Sequence, residues 1–158
     1  QWFIARAQAQ GKIHSPLPDR LLRANADGYE KISDCLCTDA HGNRLSIEVE
    51  RTEKTSRRLD LFLWGLLRQL QANEVQQVIV VTQIRGLAER YRATLTSPVG
   101  ITRWRKDNIA NKWVSLDATR PAPELTRCIS FIHEPAINAP LHPYSLTHGR
   151  KKRAGGAA

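Results

Sequence analysis

The sequence predicts an α/β protein with a mixed β-sheet flanked by helices, and three consecutive segments carry that prediction. From Ser56 to Gln71, apolar residues recur at helical spacing, which indicates a helix that packs one face on a core. Residues 75–81 are rich in Val and Ile, as expected of a strand covered on both faces, and helical spacing returns from Leu87 to Leu95. A β-α-β unit of this kind favours a right-handed crossover between parallel strands.

The N-terminal part of the chain predicts a short helix followed by a meander of three strands. Gly11 and the prolines at 16 and 18 end the helical spacing. Turn signals at residues 25–28 and 39–43 then separate three strand-like segments. The predicted elements are a helix at residues 2–10 and strands at residues 20–24, 29–38 and 45–50.

The C-terminal part predicts fewer regular elements. Residues 100–105 and 113–116 fit edge strands added to the same sheet. The five prolines between residues 121 and 143 predict that residues 121–148 wrap irregularly over the surface. Residues 149–158 place four consecutive cations among Gly and Ala, and we expect a flexible basic tail there.

Length and composition predict one α/β domain at residues 1–148. With 158 residues and 41% hydrophobic content, the chain can bury a sizeable core but is too short for two full domains. It begins at Gln1 and contains no Met, so we expect a fragment of a longer protein. No apolar run approaches the roughly 20 residues that span a bilayer. Three cysteines without C-x-x-C spacing predict a reduced, cytoplasmic protein.

The charge of the chain predicts an anionic partner. The formal net charge is +9 and the pI is near 10.0. Clustered cations bind nucleic acid favourably because phosphate contacts release counterions. We therefore expect the chain to bind DNA, while the lack of an aromatic sheet motif disfavours a general RNA-binding module. The predicted DNA-contacting residues are Arg57, Arg58, Arg103, Arg105 and Lys106.

The segment from Leu45 to Glu50 places two acids on one face of a predicted strand. Side chains alternate along a strand, so Ser46, Glu48 and Glu50 share a face that is backed by apolar residues. If the extended backbone continues, Lys54 falls on the acidic face too. Neighbouring carboxylates repel each other, and a bound divalent cation is a common way to keep both ionised.

These acids predict a metal site with Asp19 as a third oxygen donor. Pro18-Asp19 opens the neighbouring predicted strand, and acids at the ends of adjacent strands can converge. Carboxylate oxygens suit Mg²⁺ or Mn²⁺ better than zinc. In the alternative interpretation, Glu48 and Glu50 lie on the solvated face of an amphipathic strand and Lys54 is a cation at the start of a helix.

Pro18-Asp19, then Glu48-Val49-Glu50, then Lys54 and a helix resemble the PD-(D/E)xK nuclease superfamily. Within it, Glu48-Val49-Glu50-Arg51-Thr52 is similar to the replication-relaxation proteins and to the MobC-type relaxases of mobilisable plasmids. The resemblance covers roughly residues 15–95. It implies a restriction-endonuclease-like core, metal binding by Asp19 and Glu48, Glu50 in the usual lysine position, and Lys54 as a displaced lysine.

The resemblance implies a metal-dependent DNA hydrolase that nicks DNA in plasmid mobilisation, conjugation or replication, with relaxosome or replication proteins as partners. Asp19, Glu48, Glu50 and Lys54 would be its catalytic residues, with water as the nucleophile. The alternative is a non-catalytic DNA-binding module with a nuclease-like fold. Two features of the sequence support that alternative. Residues 1–17 contain no acid, although the superfamily often has one there, and E-x-E replaces the commoner E-x-K.

Overall fold

Helices and strands alternate along the chain. The computed structural model describes residues 2–23 and 33–134. The helices in these ranges are α1 (Trp2–Ala9), α2 (Asp19–Arg23), α3 (Ser56–Gln71), α4 (Leu87–Leu95) and α5 (Pro123–Thr126). The strands are β1 (Ile13–Pro18), β2 (Cys35–Asp39), β3 (Arg44–Glu50), β4 (Gln77–Thr82), β5 (Ile101–Asp107), β6 (Lys112–Thr119) and β7 (Ile129–His133).

Five strands form a mixed sheet in the order β1-β2-β3-β4-β7. The pairs β1-β2 and β2-β3 are antiparallel, whereas β3-β4 and β4-β7 are parallel. Helix α3 makes the connection from β3 to β4, as parallel neighbours require. The predicted α/β fold with a mixed sheet is confirmed. Because β3, β4 and β7 run the same way, their carboxyl ends meet at one edge of the sheet.

The larger core lies between the sheet and helices α3 and α4. Helix α3 has no side-chain cap at Thr55, so its stability comes from the apolar face that it buries. Leu63 and Leu66 are fully buried there, and each such leucine contributes about 1.5–3 kcal/mol. From α4, the buried Tyr91 ring packs between Phe62 and Phe131, with ring centroids 6.0 and 6.2 Å away. This core fixes α3 over β3 and β4.

A smaller core lies on the opposite face of the sheet, beneath α1. Its buried side chains include Ile13 and Ile47, and Cys35 and Cys37 lie among them as free thiols. A cavity of about 420 Å³ remains beside α1, lined in part by Phe3. Within the described ranges, no helix is long and apolar enough to cross a membrane.

The strand predicted at residues 20–24 is wrong. Residues 13–18 form β1 instead, and Asp19 begins the short helix α2. Prolines at 16 and 18 obscured β1, but β1 is an edge strand, where a missing N–H is tolerated. Leu and Arg favour helix, and an acid in the first turn suits the helix dipole. The predicted turn at residues 25–28 and the start of the next predicted strand lie outside the described residues.

Two predictions in the C-terminal part are corrected. Strands β5 and β6 pair only with each other among the described strands, so they form a two-stranded ribbon rather than edges of the main sheet. The predicted irregular wrap contains α5 and β7, and β7 pairs with β4. Pairing with a buried strand overrides the proline signal, because the prolines flank residues 129–133 without entering them. Residues 135–158, including the predicted basic tail, lie outside the described ranges.

Candidate functional site

The acidic face of β3 is turned towards the larger core. Glu48 and Glu50 are each 5% exposed, and Ser46 is fully buried. In the parallel register Glu48 lies opposite Val80, whose side chain belongs to the core beneath α3. The predicted shared face is confirmed. The alternative, in which both glutamates lie on a solvated face, is wrong because both are buried.

Lys54 lies in the segment that joins β3 to α3, and its side chain contacts Glu50. Its ammonium forms an ion pair with the Glu50 carboxylate and lies 4.6 Å from the centre of the Phe62 ring. The Lys54 backbone N–H donates to the Tyr91 hydroxyl at 2.8 Å. Burial raises the pKa of Tyr91, and the negative charge of Glu50 acts in the same direction. The structure therefore brings together two of the predicted site residues.

Glu48 belongs to a chain of buried hydrogen bonds that starts on α3. The Gln69 amide donates to the Ser33 hydroxyl at 3.2 Å, and the hydroxyls of Ser33 and Ser46 are 2.8 Å apart. Ser46 in turn donates to Glu48 Oε1 at 3.2 Å. Because unpaired polar groups are costly inside a protein, such a chain fixes the Glu48 carboxylate in one orientation.

Asp34 is a third carboxylate beside β3, and the sequence analysis missed it. Its Oδ2 accepts a hydrogen bond of 2.7 Å from the backbone N–H of Val49, which lies between the two glutamates. Cys35 pairs with Ile47, so continuing that register by one residue sets Asp34 opposite Glu48. Counting residues outwards along both strands from the predicted turn at residues 39–43 pairs position 34 with position 48, which could have identified Asp34.

Asp19 does not open a strand, as the sequence predicted, but directly follows β1. Asp19 is the first residue of α2 and is half-buried. Its backbone N–H donates to the backbone carbonyl of Asp34 at 2.9 Å. Asp19 thus lies next to the segment that carries the third carboxylate.

The carboxylates of Asp34, Glu48 and Glu50 provide only oxygen donors, which suits Mg²⁺ or Mn²⁺. As the side chains are placed, no three Asp, Glu, His or Cys residues in the described ranges form a group that could hold a metal ion. Glu50 is instead neutralised by Lys54. The donor chemistry fits a hard cation, and a cation that binds Glu50 must compete with the Lys54 ammonium.

The predicted DNA-contacting residues lie on α3 and on the β5–β6 ribbon. Arg57 is half-buried with its guanidinium 5.6 Å from the centre of the Trp113 ring, whereas Arg58 is exposed. Arg103, Arg105 and Lys106 are exposed on β5. All five cations therefore lie on α3 and on the ribbon that packs against it.

Trp104 lies on β5 between Arg103 and Arg105. It is half-buried, and its indole N–H donates to Asp60 Oδ2 at 2.9 Å. The bond joins β5 to α3, so Trp104 has a structural contact within the protein.

Comparison of the chain with protein-family models, with curated proteins and with solved structures gave no match.

Proposed function

We propose that this chain is a metal-dependent DNA-nicking domain whose carboxylates are Asp34, Glu48 and Glu50. The observation that supports the proposal most strongly is the hydrogen bond from Val49 to Asp34. It brings a third carboxylate to the strand that carries two buried glutamates. Concentrating carboxylates in a buried site is costly unless a cation or hydrogen bonds compensate, and such sites are often functional.

Each residue has a role that follows from its position. Hydrogen bonds already orient the side chains of Asp34 and Glu48. Their oxygens would therefore hold a cation without a further loss of side-chain conformational freedom. Mg²⁺ or Mn²⁺ at these oxygens would polarise a phosphate and lower the pKa of a bound water. Lys54, released from Glu50, would orient that water or stabilise the charge that develops on the phosphate. Arg57 and Arg58 would position the DNA backbone and contribute little sequence reading.

A second candidate function is a non-catalytic DNA-binding module with the same fold. The ion pair between Lys54 and Glu50 favours it, because the cation that the acids need is already supplied by the chain. Such a module would bind DNA within a relaxosome or replication complex without cleaving it. In both cases we propose a cytoplasmic protein, in line with the free thiols of Cys35, Cys37 and Cys128.

The test is a supercoiled-plasmid nicking assay with Mg²⁺, with Mn²⁺ and with a chelator. We expect nicking with either metal and none with the chelator. Glu48→Gln should abolish nicking, because the amide keeps the shape and the Ser46 contact but loses the charge. Glu74→Gln is the matched control, since Glu74 is exposed and follows the other end of α3. Calorimetric titration of Mn²⁺ into both variants measures metal binding independently of cleavage.

The outcomes separate the two candidate functions. Nicking that requires metal and Glu48 but not Glu74 supports the hydrolase. DNA binding with no nicking and no metal uptake supports the non-catalytic module. Wild-type nicking rates in the Glu48→Gln protein would exclude this site as the catalytic one.

A further inference from the structure

The β5–β6 ribbon packs along one side of α3 in a defined direction. Three contacts join them, and they step along the helix from its middle to its first turn. They are the Trp64 indole N–H to the Thr102 carbonyl at 3.2 Å, the Trp104 indole to Asp60, and Arg57 over Trp113. In the same order, the contacting residues of the ribbon run from the start of β5 towards the turn between β5 and β6. The turn of the ribbon therefore lies at the end of the molecule where α3 begins.

The start of α3 is also the end that carries the acidic site. Glu50 is the last residue of β3, and α3 starts at Ser56 after the short segment that holds Lys54. The contact between Arg57 and Trp113 thus joins the ribbon to the first turn after the site. The ribbon stands beside the acidic edge of the sheet as an arm.

The outer face of this arm carries three cations and, next to the turn, the acid Asp107. Trp104 points to α3, so Arg103 and Arg105, its neighbours along β5, point away from α3. Lys112 is the cross-strand partner of Asp107, which lies two residues after Arg105 on β5 and therefore on the same face. Lys112 thus lies on the outer face too. Both arginines are exposed, and neither guanidinium has a hydrogen-bond or ion-pair partner in the part of the chain that the structure describes. These charges are available for phosphates.

The turn at the tip of the arm presents one large apolar side chain. Ile109 is 100% exposed. Its backbone N–H and that of Ala110 both donate to Asp107 Oδ1 at 3.0 Å. The Asp107 carboxylate is therefore occupied in fixing the turn, and the isoleucine is held outwards on an ordered tip.

We propose that the β5–β6 ribbon is an arm that enters the major groove of duplex DNA and holds the duplex against the acidic edge. This inference deepens the proposed function and rests on it for the identity of the partner. The major groove is about 12 Å wide and admits a two-stranded β-ribbon. Arg103, Arg105 and Lys112 contact the phosphates on the flanks, and Ile109 contacts the edges of the bases.

The experiment is fluorescence anisotropy with a short labelled DNA duplex, in chelator, across a series of salt concentrations. The arm variant is Arg103→Ala/Arg105→Ala. The control is Lys12→Ala/Arg127→Ala, which removes the same charge at the opposite edge, where β1 and β7 begin. Each phosphate contact contributes about 0.9 to the slope of log affinity against log salt, so the arm variant should lose about 2 from that slope. The control should keep the wild-type slope.

Ile109→Ala distinguishes the tip from the charged face. It should weaken binding equally at every salt concentration without changing the slope, because an apolar contact releases no counterions. Equal salt slopes for the arm variant and the control would contradict the proposal that the arm contacts DNA phosphates. Wild-type affinity of Ile109→Ala would contradict the proposed contact of the tip with DNA.

The binding measurement also separates this inference from the proposed function. If the wild-type protein nicks DNA but the arm variant has the same salt slope as the control, the hydrolase proposal is supported and the arm proposal is contradicted. A reduced slope in a protein that never nicks would support the arm and reject the hydrolase. If the wild-type protein does not bind duplex DNA at all, both proposals fail.

Discussion

Replacing Lys54 by methionine should destabilise the protein substantially, because it leaves the Glu50 carboxylate buried without its cation. The Glu50 side chain is only 6% exposed, whereas that of Lys54 is 30% exposed. Removing one partner of a fully buried ion pair costs roughly 3–5 kcal/mol, and the partial exposure of Lys54 lowers our expectation to about 2–3 kcal/mol. Loss of the ammonium beside the Phe62 ring adds about 0.5–1 kcal/mol.

Equilibrium unfolding in urea measures this change, and the chain offers a matched control. Arg90 pairs with Glu53, and these two side chains are 43% and 44% exposed. Arg90→Met should therefore cost less than about 1 kcal/mol. Equal losses for Lys54→Met and Arg90→Met would refute the reasoning.

A double variant isolates the buried charge as the cause. In Glu50→Gln/Lys54→Met no charge remains to be desolvated, so most of the stability lost in Lys54→Met should return. If the double variant is destabilised by the sum of the two single changes, the ion pair is not what holds this site together.

Two further predictions concern the backbone and the pH dependence. Gly100→Ala should lower the free energy of unfolding by more than about 2 kcal/mol, because Gly100 has φ +89 and a Cβ there would lie 2.5 Å from the Thr119 carbonyl carbon. Gly42→Ala, at φ +84 with open space around it, should lower it by about 1 kcal/mol. Comparable urea midpoints for the two variants would contradict this. Burial raises the pKa of Tyr91 above its usual 10.0, so the unfolded chain loses that proton first and stability should fall as the pH rises above 10, less steeply in Tyr91→Phe. Unfolding titrations between neutral and alkaline pH would contradict the assignment if both proteins lost stability in parallel.

The sequence predicted the elements whose signals are local and repeated. Helix α4 occupies the predicted residues 87–95, and α3 the predicted residues 56–71. Alternation along β3 also predicted which face Glu48 and Glu50 share. Each of these patterns extends over several residues with one period, so the burial of one face is enough to produce it.

The elements that sequence reasoning missed are those decided by pairing with distant segments. Strand β1 contains two prolines and forms only because it pairs with β2 at the sheet edge. Strand β7 follows several prolines and joins the sheet by pairing with β4. Neither pairing leaves a periodic trace that is strong enough to outweigh the local proline signal.

The candidate site was predicted in part for the same reason. Glu50 and Lys54 are close in sequence, and the structure brings them together. The third carboxylate depends on the register between β2 and β3. That register brings Asp34 to β3, a contact that the Pro-Asp motif at residues 18–19 does not indicate. A short motif is a weaker guide than the count of residues on either side of a hairpin turn.

The most direct test of the central claim compares Asp34→Asn with Asp19→Asn in the supercoiled-plasmid nicking assay with Mg²⁺ or Mn²⁺. Asparagine at residue 34 can still accept the hydrogen bond from Val49, so the fold is kept while the charge is removed. If Asp34 acts with Glu48 and Glu50, nicking is lost in Asp34→Asn and retained in Asp19→Asn. Wild-type nicking by Asp34→Asn, with loss of nicking in Asp19→Asn, would contradict the account.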